Sequence, residues 1–177
     1  MKPSSVKLAS LIGLCALSMG ACTQQNNNNK TSNTETTEVV YQTTAEDLAK
    51  YVEAIYGDVN REFAGEINMD LDSAYCSESW KTRLAEMHKK QDANPDEPID
   101  FFSANYWVMG QDALNVRASN IEVESLGSGK ATVSLDLSNF GETTHVQLQM
   151  VYENGDWKID NFIDMTNEID WGKIMNQ

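Results

Sequence analysis

The stretch that decides the fold is "VYENGDWKIDNFIDM", Val151–Met165. At its centre Asn154-Gly155 separates two runs of alternating apolar and polar residues. That dipeptide suits a two-residue type I′ turn, in which both central residues need positive φ. The register such a turn imposes places Glu153 opposite Asp156 and Tyr152 opposite Trp157, an aromatic cross-strand pair. Beyond the turn, Trp157, Ile159 and Asn161 alternate with Lys158, Asp160 and Phe162. Trp157 and Ile159 are expected to face a core, and Lys158 and Asp160 to face solvent. The run therefore reads as a hairpin rather than an active-site signature. Asn161 alone is left without a role in turn or core.

Working upstream, the same period of two recurs. In "ATVSLDLS" Ala131, Val133, Leu135 and Leu137 point one way, and in "HVQLQMVY" Val146, Leu148, Met150 and Tyr152 do the same. "NIEVES" alternates Ile121 and Val123 with Glu122 and Glu124. Strands with one buried face belong to antiparallel sheets. "GSG" at Gly127–Gly129 and "NFGE" around Gly141 supply the intervening turns, which makes a meander of about four strands.

Before residue 100 the period is helical. Thr44 is an N-cap candidate with Asp47 three residues on, a relative of the capping box. Leu48, Tyr51, Val52 and Ile55 follow at i, i+3, i+4, i+7 spacing, and Gly57 either ends or interrupts this helix. A second helix is expected over Ser77–Gln91, with Trp80, Leu84 and Met87 on one face and His88, Lys89 and Lys90 at the favourable C-terminal end. "DANPDEP" (Asp92–Pro98) reads as a loop. Helices first and an antiparallel sheet last make an α+β fold, one domain over 44–177, with the helices packed on the apolar face of the meander.

Two N-terminal helices, a meander and a closing hairpin "YENGDWKIDNF" resemble the nuclear transport factor 2-like (cystatin-like) superfamily. More narrowly, the chain resembles a domain-of-unknown-function branch of small bacterial envelope lipoproteins, which Gln111-Asp112 in "YWVMGQDAL" also suggests. The resemblance covers about residues 45–165. It implies a curved sheet closing with the helices into a cone whose interior can hold a pocket. In related enzymes, such as ketosteroid isomerases and scytalone dehydratases, acids, Tyr or His stand there. The pocket candidates in this chain are Tyr106, Trp107, Asp112, His145 and Phe162. A general base needs a tuned carboxylate or His beside an oxyanion donor. No such pairing is visible in the sequence, so no residue is assigned a catalytic role and the chain is read as a non-enzyme.

Other chemistries find little support. Asn68, Asp70 and Asp72 in "NMDLDS" have the one-three-five spacing of a calcium loop, but Ser73 stands where Gly is needed and Ser79 where the bidentate Glu is needed. The segment reads instead as a polar loop capping a short helix. One Cys and two scattered His make no zinc site, and nothing calls for a cofactor.

The first 21 residues read as a signal: Lys2 and Lys7, then the ten-residue apolar run "LASLIGLCAL", Leu8–Leu17. "LSMGAC" resembles the lipobox of bacterial lipoproteins, with Gly20-Ala21 before Cys22 and Met19 in place of the usual Leu. It implies lipidation at Cys22; the alternative is ordinary cleavage near Ala21, leaving a free thiol. Residues 22–43 are polar and read as a disordered tether. Cys76 is then the only remaining thiol, expected as a small buried hydrophobe, so no intramolecular disulfide is available. By resemblance to envelope sorting signals, Thr23 after the lipid Cys favours the periplasmic face of the outer membrane.

Loss of Lys2 and Lys7 with the signal leaves 11 basic against 27 acidic residues, a net charge of −16. Such a chain repels nucleic acid and anionic lipid surfaces. Three functions follow from these readings. The first is a membrane-anchored envelope lipoprotein whose domain binds a small apolar ligand or a protein partner. The second is an immunity-type inhibitor of a basic protein, and the third a lyase or isomerase using the cone.

Overall fold

The computed structural model describes residues 43–97 and 99–177. The readings on the signal segment, on Cys22 and on the tether up to residue 42 lie outside the described residues.

The chain folds as α+β, with N-terminal helices followed by an open antiparallel sheet. Helix α1 spans Ala45–Phe63, α2 Leu71–Tyr75 and α3 Glu78–Ala93, and a short 3₁₀ helix covers Asp100–Ser103. Strands β1 (Arg117–Gly127), β2 (Lys130–Asn139), β3 (Glu142–Glu153), β4 (Asp156–Asp164) and β5 (Ile169–Asp170) lie in sequence order across the sheet, and α4 (Trp171–Met175) follows. The expected four strands are thus joined by a two-residue fifth, which pairs with the end of β4.

Local signals explain the helices. Thr44 accepts a hydrogen bond from the Asp47 amide at 3.1 Å, and Asp47 accepts from the Thr44 amide at 3.3 Å, a complete capping box. Leu48, Val52, Ile55, Tyr56 and Val59 form the buried stripe of α1. Gly57 does not end this helix, which runs on to Phe63 because Val59 continues its buried stripe beyond the glycine. Asp70 caps α2, accepting from the Ser73 amide at 3.0 Å, and Ser77 caps α3 through the Trp80 amide at 2.9 Å.

All three hairpin turns have two central residues with positive φ: Ser128-Gly129, Phe140-Gly141 and Asn154-Gly155. The register expected for the last holds, with Glu153 opposite Asp156 and Tyr152 opposite Trp157, the two rings 5.4 Å apart and nearly perpendicular. Ala131, Val133, Leu135 and Leu137 face the core with Val146, Leu148 and Met150.

Two expectations for β4 are corrected. Met150 pairs with Ile159, but Gln149 pairs with Asn161, so Asp160 is an extra, bulged residue. The bulge shifts the alternation by one: Phe162, opposite Leu148, is fully buried on the core face, and Asn161 turns away from it. Lys158 and Asp160 do face away from the core, but they are only partly exposed, at 20% and 28% of their side chains. The reason is a covered edge. Cys76 forms a parallel bridge to Ile159, and the Ser77 amide donates to the Ile159 carbonyl at 2.9 Å. Lys158 Nζ then reaches the Ala74 carbonyl at 2.8 Å, Asp160 accepts from the buried Ser77 hydroxyl, and Arg83 donates to the Asp160 carbonyl at 2.6 Å. An edge strand that would otherwise template aggregation is thereby paired.

Candidate functional site

Phe162, turned inward by the bulge, is the centre of an aromatic cluster beneath the sheet. Its ring lies 5.0 Å from Tyr106, 4.9 Å from Trp107 and 4.9 Å from Trp80. Tyr106 also meets Trp80 at 4.9 Å and Phe101 at 5.9 Å, and Phe101 meets Trp171 at 5.6 Å. Tilted and edge-to-face contacts of this kind fill space and add attraction beyond area burial.

The polar ends of two of these rings converge on one carboxylate. Asp72, from α2, accepts the Tyr106 hydroxyl at 2.6 Å and the Trp107 indole N–H at 3.0 Å, with the Cys76 thiol at 3.5 Å. Burial, then the Asp72 charge, push the Tyr106 hydroxyl and the Cys76 thiol far above their ordinary pKa values. Both stay protonated at neutral pH and serve as donors to Asp72. Neither is poised as a base or nucleophile.

Beside this hub opens a groove of about 510 Å³ between α3 and the 3₁₀ helix. Asp72 and Tyr106 form part of its lining, together with Leu84, His88, Phe101, Phe102, Ser103, Ala104, Asn105 and Gln111. The Phe102 ring is partly exposed and lies 4.8 Å from the His88 ring. Leu84, Phe101, Phe102 and Ala104 form an apolar wall, and Asp72, His88, Ser103, Asn105 and Gln111 a polar one; small-molecule sites combine such walls, usually with fewer polar groups.

Of the five pocket candidates, Tyr106, Trp107 and Phe162 come together in the cluster, and Tyr106 alone lines the groove. Asp112 lies elsewhere, exposed in the segment before β1, where its carbonyl accepts from the Asn139 amide at 2.9 Å. His145 is on the opposite, uncovered face of the sheet, 71% exposed and paired through Nδ1 with Asp136. There the Asn120 amide, at 2.7 Å, and then His145 hold the Asp136 carboxyl below the usual carboxylate range. The residues that sequence reasoning missed are Asp72, Phe101 and Phe102. Asp72 carried a signal as part of "NMDLDS". Of that trio Asp70 does cap α2, but Asp72 points at the aromatic cluster. Among the described residues no group of three or more His, Cys, Asp or Glu side chains is placed to hold a metal ion.

No family model, curated protein or solved structure matches the chain.

Proposed function

We propose that this chain is a lipid-anchored protein of the bacterial envelope whose nuclear transport factor 2-like domain is a non-enzymatic binding module. The groove between α3 and the 3₁₀ helix is the site that receives a small ligand with an apolar group. One observation carries this reading: the groove opens over the Asp72–Tyr106 pair, where aromatic walls and a fixed carboxylate stand at the rim of a filled interior. The rings beneath occupy the space that an enclosed cone would offer, so recognition falls to the rim. The lipobox-like "LSMGAC" and the polar residues after it support anchoring through Cys22 at the periplasmic face of the outer membrane.

The binding claim is tested by ligand-observed NMR with small aromatic and alkyl fragments on the wild type and on Phe102→Asp. Fragments that bind the wild type should lose most of their affinity for the variant. Undiminished binding to Phe102→Asp would place the ligand elsewhere.

A further inference from the structure

At the end of the sheet formed by the β2–β3 turn lies a second surface, which meets the groove at Gln111. Each of the three hairpin turns has its first central residue in the left-handed region: Ser128 at φ 50°, Asn154 at φ 54° and Phe140 at φ 54°. Ser and Asn are small and polar there. A Phe at such a position is an outlier, since its side chain crowds the backbone. Burial does not offset that cost, because Phe140 is 57% exposed.

The neighbouring segment is tied to this turn through its backbone and carries a second exposed apolar residue, Leu114. Asn139 clamps it, donating to the carbonyls of Val108 (3.2 Å) and Asp112 (2.9 Å) and accepting from the Leu114 amide (2.9 Å). The Phe140 amide donates to the Leu114 carbonyl at 3.1 Å, and Leu114 is itself 51% exposed. Met109 and Asn115, in the same segment, also have positive φ, at 51° and 53°. Strained backbone conformations cluster at binding and switch regions, where the surrounding structure holds them in place. The shallow depression beside Phe140 is lined by Asp112 and Glu142 and by no Lys or Arg.

We propose that Phe140 and Leu114 form an anchor that docks into an apolar socket on a basic protein, whose Lys or Arg side chains meet Asp112 and Glu142. Charge complementarity selects this occupant. The knob is flanked by carboxylates on a chain of net charge −14, which favours encounter with a cationic protein surface and repels anionic lipid. Interfaces commonly set an aromatic anchor inside a polar rim.

The test uses the full-length chain in cells of its source. A photo-crosslinking phenylalanine analogue is placed at Phe140, at Leu114 and, as control, at Gln149 on the opposite face of the sheet. The first two positions should give the same adduct, a protein of net positive charge, and the control should not. That protein, purified, should bind the chain at least tenfold more weakly when Phe140→Asn or Glu142→Lys is introduced, with wild-type affinity falling as salt rises. Phe140→Asn should melt at the wild-type temperature or above it. An adduct with lipid or with a second copy of the chain, no adduct, or unchanged affinity in Phe140→Asn would overturn the proposal. So would a lowered melting temperature of Phe140→Asn, which would make the ring a structural group.

Discussion

The Asp72 carboxylate takes the Tyr106 hydroxyl at 2.6 Å across 34 residues of chain, tying α2 to the segment that precedes the sheet. The same carboxylate holds the Trp107 indole. Asp72→Ala orphans these two donors as well as the weaker Cys76 thiol, and a strong donor left buried without a partner costs about 1–3 kcal/mol. Tyr106→Phe removes one donor and leaves Asp72 its other bonds, so its cost should be about 1 kcal/mol. Urea denaturation compares the two. Equal losses would mean that Asp72 is not the hub.

Two glycines should respond to alanine with opposite signs. A Cβ at Gly57 would meet nothing within 4 Å on the exposed side of α1, so Gly57→Ala should stabilise by roughly 0.5–1 kcal/mol. A Cβ at Gly172 would come within 2.6 Å of the Asn161 side-chain oxygen. Asn161 has little room to yield, since it also donates to Asp170 at 2.9 Å and accepts from the Gly172 amide at 2.8 Å. Gly172→Ala should therefore destabilise by about 1–3 kcal/mol, as overpacking does. Melting temperatures that move in the same direction would contradict the packing described for α4.

Trp157 is 4% exposed and faces Tyr152 across the final turn. Trp157→Ala should cost about 3–5 kcal/mol, in the range of large core truncations. An unchanged melting curve would place the ring outside the core.

Acid should weaken the C-terminal element through Asp170. Burial raises its pKa, but the Asn161 side chain and the Lys173 amide and side chain outweigh that and leave the folded value below 3.8. A depressed folded pKa gives stability that is present above the unfolded value and lost as pH falls through the folded one. The gap in stability between wild type and Asp170→Asn should accordingly narrow below pH ~4. A gap independent of pH between 6 and 2 would exclude this linkage.

Anchoring is checked by labelling cells with radioactive palmitate. The wild type should carry label and Cys22→Ala should not; equal labelling would rule out lipid at Cys22.

Much of the sheet is legible in the sequence because one face is buried and the other polar, so the period of two appears directly in Ala131 to Leu137 and Val146 to Met150. The hairpin turns are legible for a related reason: each carries a Gly where the backbone must turn left-handed. The bulge at Asp160 is not legible. Asp160-Asn161 is polar in either register, and only packing decides that Phe162 rather than Asn161 turns inward. The covered edge of β4 depends on a contact between residues 76 and 159, far apart in sequence, with no local periodicity to betray it. For the candidate site, Tyr106, Trp107 and Phe162 come from the family resemblance alone; they cluster, but only Tyr106 lines the groove. Their meeting on Asp72 is a tertiary fact, and a short acidic segment reads first as a cap. Asp112 and His145 have suitable chemistry, but the fold places them on separate surfaces.

The binding claim is tested most directly by mapping amide chemical shifts of the protein as a bound fragment is titrated. The largest changes should fall on Ser103, Ala104, Asn105, Tyr106 and Gln111, around the groove. Changes confined to the outer sheet face around His145 and Gln147, with the groove silent, would contradict it.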